Sequence, residues 1–169
     1  MQEYLEAGII VNTHGIGGAM MIKSLCDSVS AFCSIKCFYI KENGRFVPHK
    51  VLKSSPHKGM ALCHLEGFTS PEGAAKFKTR SVYAKREDIP IEEGAYFVVD
   101  LIGLEVKNSK TGKVYGKVKN VINNGASDIY EIECADGLHY LPVVPEFVKE
   151  IDPEKGILIT PIEGLFNEI

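Results

Sequence analysis

Two groups of residues have the types and spacing for chemistry. The first is "HGIGG", His14 to Gly18, which follows an apolar run and places Gly15, Gly17 and Gly18 directly after a histidine. A glycine-rich turn after a strand can cradle phosphate on its backbone N–H groups, and a histidine beside it can carry a proton. The second is "CSIKC", Cys33 to Cys37, with Cys63-His64 further along. Thiolates and imidazoles have the chemistry of zinc ligands.

Neither group completes its chemistry. A phosphate-binding P-loop needs a Lys-Ser/Thr pair opening a helix, but Gly18 is followed by "AMMIKS", which reads as a strand. A dinucleotide fingerprint needs a third glycine and a helix, and "GIGGAM" has neither. A catalytic histidine needs a nucleophile or an orienting carboxylate, absent from this segment. The glycines therefore read as a tight connection between strands, with Gly15 and Gly18 as its structural turn residues. A structural zinc site takes paired ligands in turns, whereas "CSIKCFYI" runs into an apolar strand-like segment. The five cysteines, Cys26, Cys33, Cys37, Cys63 and Cys134, are odd in number and irregular in spacing, which argues against a disulfide framework. They read as buried or half-exposed thiols. No catalytic residue, metal or cofactor is expected.

The elements that would hold these residues are mostly strands. "YLEAGIIV", "GAMMIKS", "IKCFYIK", "FVPHKVLKS", "MALCHLE" and "RSVYAK" are short and rich in β-branched or aromatic residues. The Asn-Gly of "KENGRF" and the stretch "PHKG" supply turns. "TSPEGAAKFK" is the exception: Ser70 before Pro71 predicts the start of a short helix. After residue 90 come "AYFVVD", "LEVKNS", "VYGKVKNVIN", "DIYEIEC", "HYLPVV" and "GILITPI", all read as strands, with one helical turn at "PEFVKEID". Short strands at regular spacing predict an all-β chain of two small β-barrels in tandem. The expected domains are residues 1–86 and 94–169, joined by a polar linker at about 87–93.

Charge divides the chain in the same region. Residues 1–90 hold 12 Lys and Arg against 8 Asp and Glu, a net of +4; residues 91–169 hold 7 against 14, a net of −7. The first half has the sign for RNA phosphates, and the second the sign for a basic protein. Ordinary solvated surface would give the same composition. No apolar run reaches the about 18 residues of a membrane span, and the N-terminus carries Glu3 and Glu6 where a leader would carry basic residues. A cytoplasmic protein without a membrane segment is expected.

The opening motif "GIIVNTHGIGGAMMI" resembles that of the RimM family, in which a Gly-x-Ile strand leads into a His-Gly-[Ile/Leu]-x-Gly turn. "AYFVVDLIGLEV" is similar to the paired aromatics and Asp-Leu-Ile-Gly-Leu-x-Val that open the family's second domain. "GKVYGKVKNV", "YLPVVPEFVKEID" and "ITPIEGLF" resemble three later family segments, in the right order. The resemblance implies an N-terminal barrel like one found in translation factors, followed by a PRC-barrel. It implies a non-catalytic, monomeric factor that binds the precursor of the small ribosomal subunit and assists head assembly and 16S rRNA processing. The implied contacts are 16S rRNA and a basic ribosomal protein of the subunit head (the S19 family). Two departures stand out: Gly17 and Ala19 replace a basic residue and a Glu common in the turn, and Tyr96-Phe97 replaces a common Tyr-Tyr.

Tyr96 and Phe97 are the expected partner-binding residues. Strand neighbours point to opposite faces, so one would be buried and the other presented, unless barrel and linker bury both. His14 and Lys23 are the candidate RNA contacts; for His14 a simple backbone hydrogen bond is the alternative. Gly103, after "DLI", suits a bulge or bend.

Overall fold

A computed structural model describes residues 1–160 and 162–166 and divides the chain into two compact units, Met1–Glu93 and Gly94–Ile169. In the first, β1 (Tyr4–His14), β2 (Ala19–Ser24), β3 (Cys37–Glu42), β4 (Arg45–His57), β5 (Met60–Leu65) and β6 (Ser81–Lys85) close a barrel in the order β1-β2-β5-β4-β3-β6. Every pairing is antiparallel, and β6 returns to β1. The period of two sends Met20 and Ile22, Ala61, Cys63 and Leu65, and Val82 and Ala84 into one core.

Two-residue turns set the register of two hairpins. Asn43 and Gly44 have φ of 48° and 79°, and Lys58 and Gly59 have 49° and 77°. Two successive left-handed residues match the twist of the flanking strands. Both turns fall where sequence places them. So does the helix after Ser70: α2 (Pro71–Ala75) is capped by Ser70 Oγ, which accepts from the Gly73 N–H at 3.1 Å. An additional helix precedes β3. In α1 (Val29–Ser34), Ser28 Oγ accepts from the Ala31 N–H, and the fully buried Phe32 stacks on Phe38 with ring centroids 4.5 Å apart.

The second unit carries β7 (Glu105–Asn108), β8 (Val114–Asn123), β9 (Asp128–Cys134), β10 (Gly137–Pro142), β11 (Val148–Asp152) and β12 (Gly156–Ile159), in the order β10-β9-β8-β7-β12-β11. Only β12 and β7 pair in parallel among these ladders. The sheet surrounds a single core in which Val106, Val118, Tyr130, Ile132, Leu141, Ile157 and Ile159 are buried. Val148 and Ile151 of the edge strand β11 pack on the same core. The turn at Pro145–Phe147 closes with the Val148 N–H on Val144 O at 2.9 Å, and leads into β11. Part of the closing segment "ITPIEGLF" lies outside the described residues, at Pro161.

Besides α1, two segments differ from expectation: "PEFVKEID", read as a helical turn, is a turn only to Phe147 and then strand β11, and the second unit does not open on a strand. "AYFVVD" is not a strand: it approaches and enters α3 (Val98–Leu101), with Phe97 as N-cap. Val98 and Val99 favour extended backbone by propensity, but tertiary anchoring outweighs that preference of a few tenths of a kcal/mol per residue. The anchor is Leu101, buried in the second core. Gly103, at φ 86°, ends the helical turn instead of bulging a strand, and its N–H donates to Val118 O at 2.7 Å.

Candidate functional site

The glycine turn sits at one end of the first barrel. β1 and β2 pair as far as His14 and Ala19, and Gly15 to Gly18 cross between them. Gly15 and Gly18 have φ of 69° and 81°. Their surroundings differ. A Cβ on Gly15 would meet nothing within 4 Å, whereas one on Gly18 would stand 2.7 Å from the backbone C and O of Phe68 and 2.9 Å from the N of Ser70. Gly18 thus lets the turn lie directly on the segment that caps α2. The turn is a packing device, which accounts for the glycines without a bound nucleotide.

Around it the barrel gathers residues that the linear sequence separates. The His14 ring lies 5.2 Å from that of His57, which ends β4 beside the Lys58-Gly59 turn. His64 on β5 meets Phe68 O at 3.2 Å through Nε2, half-buried under the same end. Ile16, at the turn's apex, is 90% exposed. His57 and Ile16 were not singled out in the sequence. An isoleucine between glycines in a hairpin loop is the signal that would have found the latter, because apolar turn tips have no folded-state partner.

Lys23 does not join this group. It pairs with Ile9, four residues along β2 from Ala19, or about 13 Å at the usual strand rise. It is exposed on the outer face of the strand, away from the turn.

"CSIKC" is split between elements. Cys33 belongs to α1 and Cys37 begins β3. Cys63 is fully buried, its Sγ 3.2 Å from Ser54 Oγ, and burial pushes its thiol up to about 11. It is therefore a protonated core residue at neutral pH and not a reactive thiolate.

In the second unit Tyr96 precedes α3 and is 38% exposed, and its hydroxyl donates to Ile151 O on β11 at 2.9 Å. Together with Val143, Val144, Pro145 and Val148 it lines an open groove of about 300 Å³ along the sheet edge. Phe97 is half-buried. The difference does not come from strand alternation: Tyr96 precedes the helical turn and Phe97 is its N-cap. Val98, Val99 and Ile102 of the same segment are also exposed, making its surface unusually apolar.

A closed barrel and a second, six-stranded sheet, with the candidate residues on turns, edges and outer faces, define a protein of two all-β units. The RimM N-terminal domain matches residues 5–89 and the RimM PRC barrel domain residues 98–165, so the chain belongs to the RimM family. It is 32% identical over 170 residues to "Ribosome maturation factor RimM" of Clostridioides difficile, covering 97% of this chain and 96% of that one. It is 34% identical over 167 residues to the protein of the same name from Staphylococcus aureus, covering 96% and 99%. A solved Pseudomonas aeruginosa structure, described as a 16S ribosomal RNA processing protein RimM, covers 94% of this chain and 98% of that one at 20% identity and a TM-score of 0.48. The family is one of non-catalytic assembly factors. No helix among the described residues is long and apolar enough to cross a membrane.

Proposed function

We propose that this protein is a ribosome maturation factor acting on the immature small subunit in the cytoplasm, without a chemical step. It assists assembly of the subunit head and 16S rRNA processing. The second unit binds a basic ribosomal protein of the S19 family, and the first contacts 16S rRNA near the His14 turn. Beyond family membership, the division of charge carries this reading: net +4 over residues 1–90 against net −7 over residues 91–169. An acidic surface speeds encounter with a basic protein and repels exposed RNA, and the basic barrel does the reverse. Tethering the two contacts raises the local concentration of one partner near the other, favouring docking of a partly folded head segment.

Sedimentation with precursor and mature small subunits tests the proposal. The protein should travel with the precursor and not with the mature particle; equal binding to both would count against a maturation role. RNA affinity should reside in residues 1–93 and fall with salt. For about four phosphate contacts the loss between ~50 and ~200 mM salt is roughly 50- to 150-fold. Equal RNA affinity in residues 94–169 would overturn the division of labour.

The separate cores also make the connecting segment testable. All buried residues of one core precede residue 85, and all those of the other follow residue 100. Limited proteolysis is expected to cut within residues 86–94 and leave two folded fragments, resolved by mass spectrometry and circular dichroism. Unfolding of either fragment after the cut would mean that the cores depend on each other.

A further inference from the structure

The hairpin between β9 and β10 brings together three donor side chains of different chemistry. Cys134 ends β9, Asp136 lies in the turn and His139 stands on β10. One ligand atom from each lies within 4.8 Å of the other two. Register explains the meeting. Cys134 pairs with Gly137 and Ile132 with His139, so Cys134 and His139 are diagonal neighbours on the face that also carries buried Ile132 and Leu141.

The surroundings hold two of the three donors in place. Gly116 of β8 lies beneath the sulfur: a Cβ there would stand 2.8 Å from Cys134 Sγ. The His139 ring lies 5.5 Å from that of Phe166, which stacks on Tyr115 at 4.4 Å. His139 Nε2 is 2.9 Å from Asp136 Oδ1. A depression of about 270 Å³, lined by Lys113, Tyr115, Cys134, Asp136 and Phe166 among others, opens beside them and leaves room for water.

We infer that Cys134, Asp136 and His139 form a binding site for a borderline-soft divalent cation of the zinc class, with water completing its coordination. One thiolate, one imidazole and one carboxylate suit zinc, and a sulfur donor disfavours magnesium and calcium, which take oxygen. Metal–ligand bonds of about 2.0–2.3 Å place tetrahedral donors roughly 3.3–3.8 Å apart, so the trio needs only a small contraction. On binding, the Cys134 thiol releases its proton to solvent, and His139 Nε2 exchanges its contact with Asp136 for the cation. Two anionic donors then balance the dication. The Lys113 ammonium in the same depression is the opposing charge. The site is independent of the proposed ribosomal role.

The test uses the full chain, reduced and stripped with a chelator, titrated with Co²⁺ and then Zn²⁺. One equivalent of Co²⁺ should give a thiolate-to-cobalt charge-transfer band in the near ultraviolet, displaced by Zn²⁺. Cys134→Ser should abolish the band, while Cys33→Ser and Cys37→Ser keep it. Asp136→Asn and His139→Gln should weaken Zn²⁺ by at least ~100-fold, above the 10–100-fold typical of outer-shell partners. No band in the folded wild type, or a band that survives Cys134→Ser, overturns the site. Should Cys134→Ser not fold, unchanged affinity in both Asp136→Asn and His139→Gln overturns it as well.

Discussion

Gly18→Ala is expected to destabilise the first barrel by ~2–5 kcal/mol, whereas Gly15→Ala costs only ~1–2 kcal/mol. Both positions have positive φ, which costs an L-residue about 1–2 kcal/mol. Only at Gly18 would the new methyl also press on the backbone of Phe68 and Ser70, and overpacking of that kind adds about 1–3 kcal/mol. Backbone cannot rotate away as a side-chain tip can. In a domain of this size 1 kcal/mol moves the melting temperature by about 4–8 °C, so Gly18→Ala should lower the barrel's transition by ~10 °C or more. Gly15→Ala should lower it by less than half as much. Equal shifts would mean that Phe68 and Ser70 give way, and that the turn is not pinned to the α2 cap.

How much of this was legible in the sequence depended on how local the cause was. Asn43-Gly44 and Ser70-Pro71 announced their structures because a turn or a cap is set by a few adjacent residues. The RimM family was legible from short segments standing in order along the chain. The Val-Val of α3 misled because Leu101 reaches the core from a helical turn, a tertiary fact. Ser28 was a readable N-cap for α1, but that helix is too short to show a period. Sites assembled across strands were illegible for a deeper reason. His14 meets His57 across 43 residues, and Cys134 meets His139 only once the β9–β10 register is fixed. A one-residue slip would send Cys134 and His139 to opposite faces relative to the core. Conversely, "CSIKC" looked like a ligand pair and proved to straddle a helix and a strand.

The double change Tyr96→Ala, Phe97→Ala is expected to weaken binding of the S19-family ribosomal protein at least thirtyfold. Both residues belong to the acidic unit, with Glu92 and Glu93 just before them and Asp100 just after. Tyr96 presents over a third of its surface beside the groove formed by Val143, Val144, Pro145 and Val148, an apolar floor with an aromatic wall. Aromatic anchors of this kind cost ~2 kcal/mol or more when truncated, roughly thirtyfold in affinity. The single variants divide the effect. Tyr96→Ala should account for most of the lost affinity, because Tyr96 is the more exposed of the two and lines the groove, which Phe97 does not. Tyr96→Phe removes only the hydroxyl that donates to Ile151 O, at a net cost of about 1 kcal/mol in stability. Its ring would still wall the groove, so its affinity should stay within a few-fold of wild type. Thermal melts separate the two effects, since loss of a buried aromatic costs ~3–5 kcal/mol and would imitate an interface defect. A folded double variant with wild-type affinity would remove Tyr96 and Phe97 from the interface. An unfolded double variant, with Tyr96→Ala folded and fully binding, would make both aromatics part of the scaffold instead.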